Sequence, residues 1–510
     1  MNTNAAKNEL PEEIDALKRI VIEQRARIEA LTLFIAKLRR MQFGRSSERV
    51  TQEIEQLELA LDELQTETAI SDRAAARETK EDKAPRGRKP LPDHLPREPI
   101  VHSPVTGACN CPDCGGQMKH LSDDVSEMLD YVPGRFRVIR HVRPKFACTR
   151  CDHIAQASAP SRPIARGLPG AGLLAHVLVS KYADHLPLYR QSEIYAREGV
   201  DLERSTLADW VAGGFALLDP LVDVLRRYVL ATGKLHADDT PVPVLDPGRG
   251  KTKTGRLWTY VRDDRPAGSD DPPAVLFRYA PDRAGERPKQ HLKGFAGILQ
   301  ADAYSGFNAV YAGGKVKEAA CWAHARRGFY DVHQATQSPI AAEALARIRK
   351  LYDIEADIRG KPPDERKAQR ELRAVPILND LRQWLHEMLA RTSKKSGLAV
   401  AISYVLTRWG AFTRYCEDGR IEIDNNAAER ALRTVALGRK NYLFCGSDAG
   451  GERAAAIYSL VGTAKLNGLD PEAYLRYVIE RIAEHPINRL EELLPWCVPL
   501  EPALDSRLAA

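Results

Sequence analysis

Apolar residues recur every seven positions near the start of the chain. Ile14, Val21, Ile28 and Ile35 form one series, and a leucine series with a single interruption lies between its members. This a/d pattern predicts helices that associate in a coiled coil over residues 1–68. A helix packed on its own chain is the alternative, but charged residues fill most of the remaining positions and favour self-association.

The pattern is again helical between residues 161 and 232. Two helix-length stretches are separated by "EGVDL", in which Gly199 suits a tight turn. Ser205 suits the N-cap of the second helix. This layout is compatible with helix–turn–helix DNA binding, with Arg204 near a groove, and equally with an ordinary helical pair.

Alternation with a period of two begins after Gly233. Five successive strands are predicted at "KLHADDTPVPVL", "GRLWTYVRDD", "PAVLFRYAPD", "GFAGILQADAYSGF" and "VKEAACWAH". The chain is then mostly helical, and a late helix is predicted to begin at "NAAER" and to end at Gly438. We therefore expect an α/β domain over 233–465 with a helical insertion at about 335–415, followed by a helical region over 466–510.

Charged residues and prolines replace apolar residues between positions 69 and 105, which predicts a linker. Its "PRGRKP" places Arg86 and Arg88 around a glycine. Short arms of this kind can lie in the minor groove of A·T-rich DNA. A solvated basic linker is the alternative interpretation.

The overall composition adds modest constraints. A chain of 510 residues is too long for a single core and predicts several domains. We find no apolar run near eighteen residues and no leader-like start, so a cytoplasmic protein without membrane spans is expected. The net charge of +6 is by itself weak evidence for nucleic-acid binding. The stretch "RFRVIRHVRPK", however, concentrates basic side chains, including Arg137 and Arg140, in a pattern suited to phosphate contacts.

Two CxxC pairs indicate a metal site. "CPDCGG" contains Cys111 and Cys114, and "CTRC" contains Cys148 and Cys151. Four thiolates satisfy tetrahedral Zn²⁺ completely, which predicts a structural zinc module over residues 106–160. Reduced, unligated thiols are the alternative. The scattered cysteines are expected to be ordinary core residues: Cys321, Cys416, Cys445 and Cys497.

Acidic residues occupy three topologically related positions. Asp238 and Asp239 lie in the first predicted strand, Asp302 ends the fourth, and Glu429 lies on the late helix. Each alone would be expected to be solvated, but together they match the arrangement of ribonuclease-H-like nucleases. Clustered carboxylates repel one another unless a cation lies between them, and oxygen ligands favour Mg²⁺ or Mn²⁺. Two such ions can activate a nucleophile and stabilise a leaving 3′ oxygen.

The chain resembles the transposases of insertion-sequence-66 elements, a branch of the DDE transposases. The resemblance is carried, in order, by "FGRSSER", "GRKPLPDHLPRE", "CPDCGG…CTRC", "HLPLYRQSEIYAREGVDLERSTLADW", "HADDTPV", "LQADAYSGF", "CWAHARRGF", "DNNAAERALR…GRKNYLFCGSDAGGERAA" and "LEELLPW". It implies a multidomain α+β protein. The expected parts are an N-terminal coiled coil, a zinc-ribbon-like module, a helical DNA-binding region and a ribonuclease-H-like catalytic domain with a helical insertion.

The resemblance also implies the site residues. The family pattern in the first strand is Asp-Glu-Thr, so Asp238 is the expected metal ligand and Asp239 stands where glutamate is usual. Asp302 and Glu429 are the second and third expected ligands. Because neighbours on a strand point to opposite faces, only one acid of the pair can face the site. The residues expected to contact DNA are Arg86, Arg88, Arg137, Arg140, Arg204, Arg433, Arg439 and Lys440.

The function implied by the resemblance is cleavage of DNA at the ends of an insertion element and joining of the 3′ ends to a target. The expected partners are double-stranded DNA, further copies of the chain, and small accessory proteins from the same element. Two alternatives remain open. One is a DNA-binding regulator derived from a transposase, and the other is a metal-dependent nuclease, such as a junction resolvase, without strand transfer.

Overall fold

The computed structural model describes residues 134, 136, 138, 145–147, 154–156, 161–164, 169–246, 252–441 and 445–501. All of them belong to one compact unit, Pro133–Ala510. The predicted coiled coil, the basic linker and all four cysteines of the predicted zinc module lie outside the described residues.

The described part of the chain is a mixed α+β structure. Its strands are β1 Lys145–Ala147, β2 Ile154–Gln156, β3 Lys234–Val244, β4 Lys253–Arg262, β5 Ala274–Ala280, β6 Gly297–Ala301 and β7 Val316–Ala320. Strands β1 and β2 form a small antiparallel pair. The other five form one sheet in the order β5-β4-β3-β6-β7, and they confirm the five strands predicted from the alternating pattern.

The direction of the strands divides the sheet into two parts. Strand β3 pairs antiparallel with β4, and β4 pairs antiparallel with β5. On its other side β3 pairs parallel with β6, and β6 pairs parallel with β7. The carboxyl ends of β3, β6 and β7 therefore meet at one edge of the sheet.

Helices pack against the sheet, and those directly after β7 form a region of their own. They are α1 Ala171–Tyr182, α2 Leu188–Arg197, α3 Arg204–Leu230, α4 Glu286–His291, α5 Asn308–Tyr311, α6 Trp322–Thr336, α7 Pro339–Ile358, α8 Pro363–Gln369, α9 Val375–Arg391, α10 Gly397–Leu406, α11 Trp409–Thr413, α12 Asn426–Asn441, α13 Asp448–Leu466 and α14 Pro471–Arg481. None of the described helices is both long enough and apolar enough to cross a membrane.

The predicted helical pair before the sheet is confirmed as α2 and α3, and Gly199 in the turn between them adopts a φ of +81°. Only glycine adopts this left-handed conformation without strain. The predicted N-cap was wrong: α3 begins at Arg204, and the hydroxyl of Ser205 donates to the carboxylate of Glu203 at 3.1 Å. Ser205 therefore lies inside the first turn.

Helix α13 covers the edge strand β5. The backbone N–H of Val275 donates to the hydroxyl of Thr463 at 3.1 Å, and that of Phe277 donates to the hydroxyl of Ser459 at 2.8 Å. An exposed sheet edge carries unpaired backbone donors that invite aggregation. Here two helical hydroxyls satisfy those donors, so the five-stranded sheet is closed on this side.

The helices from α6 to α11 enclose a second hydrophobic core, separate from the core of the sheet. Ile348, Leu351 and Leu381 are among its fully buried members. Burial of each such side chain stabilises the fold by about 1.5–3 kcal/mol. A π-helical turn, Arg370–Ala374, connects α8 to α9 and turns Arg370 into the interior, where its side chain is fully buried.

Two further expectations were wrong. Gly438 does not end its helix, because it is buried within α12, which continues to Asn441. A glycine ends a helix by adopting a left-handed conformation, and Gly438 has no positive φ. Among the scattered cysteines, Cys321 and Cys416 are buried, but Cys445 is only partly buried and Cys497 is exposed.

Candidate functional site

Asp238 lies within β3, and Asp302 is the first residue after the neighbouring parallel strand β6. In the ladder between β3 and β6, His236 is paired with Gln300. Asp238 and Asp302 each follow two residues later, and side chains two apart on a strand share a face. Both carboxylates therefore project from the same face of the sheet, at the edge where the parallel strands end.

The segment 420–425, here called the strap, crosses that face and leads into α12. The side chain of Asn425 donates to the backbone carbonyl of Ala237 at 2.8 Å. Gln300 and Glu422 exchange two hydrogen bonds: the Gln300 amide donates to the carbonyl of Glu422, and the N–H of Glu422 donates to Gln300 Oε1 at 3.3 Å. The strap is thus bonded to β3 one residue before Asp238 and to β6 two residues before Asp302.

Glu429 joins these two acids from the first turn of α12. Because the strap ties the start of this helix to both strands, the position of Glu429 is set relative to Asp238 and Asp302. Its negative charge acts on the Asp238 carboxyl. We call the three acids proposed from the sequence the acid site. Among the described residues, however, the possible ligand atoms that all lie within 4.8 Å of one another are those of Cys321, His324 and Glu429, so the three acids do not form an equally close set.

The two aspartates of the acid site are largely buried and lie near other negative charges. Burial raises the pKa of Asp238 to about 8, and the charges of Asp302 and Glu429 act in the same direction. Burial also raises the pKa of Asp302. Within the described ranges no lysine or arginine lies within hydrogen-bond distance of either aspartate, and the nearest, Arg283, is 3.9 Å from Asp302. A set of oxygen donors with unbalanced charge fits a hard divalent cation.

Asp239, the other member of the pair, has a different environment. Its side chain is only 1% exposed and forms ion pairs with Arg256 and Arg283, each at 2.9 Å. Two guanidinium groups occupy both carboxylate oxygens. Asp239 is therefore engaged within the protein, while Asp238 lies with Asp302 and Glu429.

Sequence reasoning missed two residues next to the acid site. His324 Nδ1 lies 3.8 Å from Glu429 Oε1. The sulfur of Cys321 lies within 4.8 Å of the ligand atoms of both residues. Cys321 also accepts a hydrogen bond from the backbone N–H of Asn425 at 3.2 Å, so it helps to hold the strap. The Cys-x-x-His spacing in "CWAH" was the available signal, but its significance depends on β7 ending beside β6.

The proposed DNA contacts have mixed environments. Arg204, Arg433 and Lys440 are exposed, and Arg433 lies one helical turn after Glu429. Arg439 is only partly exposed, and its guanidinium donates to the backbone carbonyl of Pro241. Four of the proposed contacts lie outside the described residues: Arg86, Arg88, Arg137 and Arg140. Exposed arginines near Glu429 that the sequence did not single out are Arg326, Arg327 and Arg430.

A second group of buried charges, here called the insertion cluster, consists of Glu355, Arg366, Arg370 and Glu422. Arg370 binds Glu355 at 2.6 Å, and Arg366 binds Glu422 at 2.7 Å. Both arginine side chains are at most 1% exposed. Although burial opposes it, the charges of Arg366 and Lys234 hold the pKa of Glu422 below its ordinary value. The cluster joins the helical insertion to the strap.

Comparison with known protein families relates nearly the whole chain to one group. Residues 166–453 match the model described as "Transposase IS66 family", and residues 459–496 match the "IS66 C-terminal element". Residues 108–152, which include all four cysteines of the predicted zinc module, match the "zinc-finger binding domain of transposase IS66". Residues 30–100 match a model described as "Transposase C of IS166 homeodomain".

The chain is similar over most of its length to proteins of Sinorhizobium fredii. The uncharacterized protein y4hP is 43% identical over 92% of this chain and 88% of its own length. The uncharacterized proteins y4qI and y4jD are 41% and 37% identical, and each match covers at least 92% of both chains.

Proposed function

Because the chain belongs to the IS66 transposase family, we propose that it cuts DNA at the ends of an insertion element and joins the freed 3′ ends to target DNA. The observation that carries this proposal is the acid site. Two aspartates lie at the edge of the sheet where the parallel strands end, the charge of Glu429 acts on one of them, and in the described residues none of the three has a lysine or arginine within hydrogen-bond distance. A protein that only bound DNA would gain nothing from this electrostatic cost.

We assign the sheet to the ribonuclease-H-like class. The first three strands in chain order, β3, β4 and β5, are antiparallel, while β6 and β7 lie parallel to β3 on its other side. An acid within the first strand and another at the end of the fourth strand support this assignment.

Asp238, Asp302 and Glu429 would hold the catalytic Mg²⁺ or Mn²⁺. When bound, such ions supply activation of the attacking oxygen and stabilisation of the leaving 3′ oxygen. Burial and the neighbouring carboxylates raise the pKa of Asp238 to about 8. Binding of a cation at Asp238 would therefore compete with binding of a proton.

DNA would approach across α12 and the start of α6. Arg433 is exposed one turn beyond Glu429, and Arg326, Arg327 and Arg430 are exposed on the same two helices. Lysines and arginines contacting phosphates position a duplex without reading its sequence. We propose that the N-terminal regions make further contacts with DNA through Arg86, Arg88, Arg137 and Arg140.

The remaining parts of the proposal concern assembly. Cys111, Cys114, Cys148 and Cys151 would hold one Zn²⁺, and residues 1–68 would bring two copies together by a coiled coil. Two copies allow both element ends to be cut in one complex. Small accessory proteins from the same element would complete it.

Cleavage of a labelled duplex that carries the element end, with Mg²⁺ present, tests this proposal. We expect nicking that exposes a 3′ hydroxyl, and joining of pre-cleaved ends to plasmid DNA. Asp238→Asn, Asp302→Asn and Glu429→Gln should each lower cleavage by at least about 10³-fold while DNA binding is retained, since each amide removes charge that holds the cations. Cleavage without joining would indicate a nuclease, and binding without cleavage a regulator.

A further inference from the structure

Asp239 is the acid of the strand pair that does not join the acid site, and its contacts are asymmetric. Oδ2 accepts from Arg256 Nη1 at 2.9 Å. Oδ1 accepts from Arg283 twice, from Nε at 3.1 Å and from Nη2 at 2.9 Å. One buried carboxylate therefore holds two guanidinium groups, and the trio carries one excess positive charge.

Arg283 is the member of this trio that faces the acid site. Its Nη2 atom lies 3.9 Å from Asp302 Oδ2, and its side chain is 38% exposed. Its guanidinium lies over the ring of Tyr304, 3.9 Å from the centroid, and the Tyr304 hydroxyl donates to the backbone carbonyl of Arg283. Bonds from Asp239 and stacking on Tyr304 thus hold the group in one orientation beside Asp302.

Arg256 provides an internal comparison. It lies on β4, its side chain is 20% exposed, and it pairs with the same carboxylate as Arg283. No ion pair joins Arg256 to Asp302, Asp238 or Glu429 in the described part of the chain. The ion pair with Asp239 therefore explains the position of Arg256. It does not explain why a second, more exposed guanidinium, that of Arg283, lies next to Asp302.

We propose that Arg283 binds a phosphate oxygen of the DNA strand held at the acid site, and that Asp239 and Tyr304 are its positioning residues. This inference rests on the proposed function. A guanidinium matches the geometry of a phosphate and remains charged at all relevant pH values. Because Asp239 and Tyr304 fix the group before DNA arrives, little conformational entropy is lost when the phosphate binds.

The first test measures Mn²⁺ binding without DNA, by electron paramagnetic resonance of the free ion. Arg283 places a positive charge 3.9 Å from Asp302, so it weakens cation binding there. Arg283→Gln should therefore bind Mn²⁺ more tightly than the wild type, by about threefold or more. Arg256→Gln, which releases the same carboxylate but removes no charge beside Asp302, is the matched control and should change the affinity less.

The second test measures single-turnover cleavage of element-end DNA. Loss of a charge-assisted hydrogen bond corresponds to about a 10- to 100-fold loss of rate for Arg283→Gln. Arg256→Gln should lose less than about threefold, and Arg283→Lys should recover part of the rate. A methylphosphonate replaces one charged phosphate near the cut with a neutral group. At the one position that Arg283 contacts, this replacement should slow cleavage by the wild type about as much as Arg283→Gln does. Combining the two changes at that position should cause no further loss of rate.

The outcomes separate this inference from the proposed function. Tighter Mn²⁺ binding combined with slower cleavage supports it, because a purely structural loss would weaken both. Equal cleavage rates for Arg283→Gln and Arg256→Gln overturn the inference. It is also overturned if the rate losses from the methylphosphonate and from Arg283→Gln multiply at every position of the methylphosphonate. If the wild type does not cleave, the proposed function fails and the inference falls with it. If Arg283→Gln unfolds, Arg283→Lys replaces it: because lysine keeps the charge but lacks the planar guanidinium, Mn²⁺ affinity should stay near that of the wild type while cleavage falls, and an unchanged cleavage rate would overturn the inference.

Discussion

The acid site and the insertion cluster lie seven residues apart along the chain, at Glu429 and Glu422, yet their charges are arranged in opposite ways. In the insertion cluster each glutamate meets an arginine at 2.7 Å or closer. In the acid site Asp238 and Asp302 have no such partner among the described residues. The pKa of Glu422 is accordingly lowered, and the pKa of Asp238 is raised to about 8.

This difference distinguishes a structural charge cluster from a functional one. Burial penalises both, but internal arginines offset the penalty in only one of them. At the acid site the nearest arginine in the described residues, Arg283, lies 3.9 Å from Asp302, so the negative charges are not balanced within the protein and a bound cation would balance them. In the insertion cluster each glutamate binds an arginine, although Nε and Nη1 of Arg366 have no hydrogen-bond partner. The cluster fixes the strap on which the position of Glu429 depends.

The largest effect on stability is expected from breaking the insertion cluster. Glu355→Gln removes the carboxylate that binds Arg370 and contacts Arg366, leaving two buried guanidinium groups with one fewer partner. Loss of one partner from a buried pair costs about 3–5 kcal/mol. The free energy of unfolding in urea should fall by this amount. A change below about 1 kcal/mol would show that the cluster is not structural.

A smaller effect of opposite sign is expected at the acid site. In buffer without divalent cations at neutral pH, Asp238→Asn should raise the free energy of unfolding by about 1–2 kcal/mol, since burial and the neighbouring carboxylates penalise the charged form of Asp238 and the amide carries no charge. Asp239→Asn should lower it, because Arg256 and Arg283 lose their shared partner. Stabilisation by both changes, or by neither, would contradict the assignment of these neighbours to different environments.

The gain from Asp238→Asn should depend on pH in a defined direction. The folded-state pKa of about 8 lies above the unfolded value near 3.8, so the folded state binds the proton more tightly. Wild-type stability therefore falls as the pH rises from about 4 to about 8 and then levels off. Thermal unfolding of both proteins across this range should show the curves diverging. A stability difference between the two proteins that does not change with pH would mean that the pKa of Asp238 is not raised in the folded state.

Much of this site was predictable from the sequence. The alternating pattern locates the strands, and the resemblance to the insertion-sequence-66 transposases, not that pattern, implies that Asp238 and Asp302 meet. The environment of Asp239 was not predictable, because its arginine partners come from β4 and from the loop after β5. Their contact depends on the strand order, which no local pattern specifies.

The predictions of helix ends and caps were wrong for a related reason. Ser205 and Gly438 are residues that commonly begin or end helices, but both lie within longer helices here. Packing stabilises a helix beyond the point at which local preference would end it. His324 was missed because a single histidine in a helix has no visible partner until β7 and the strap place it beside Glu429.

The smallest effect on the five-stranded sheet is expected from the zinc module. A Cys111→Ser/Cys148→Ser double variant should lose the one zinc ion bound per chain, because two of four thiolates are gone. The urea unfolding of the sheet should change by less than about 0.5 kcal/mol. Elemental analysis that finds full zinc content would refute the assignment of these cysteines.

Anomalous diffraction from crystals soaked in Mn²⁺ tests the contrast between the two clusters most directly. The account predicts anomalous density among Asp238, Asp302 and Glu429, and none among Glu355, Arg366, Arg370 and Glu422. Density at the acid site should disappear in Asp302→Asn crystals soaked in the same way. An acid site without density at saturating Mn²⁺, in crystals where the same three carboxylates lie together, would contradict the claim that this site is built to take up a cation.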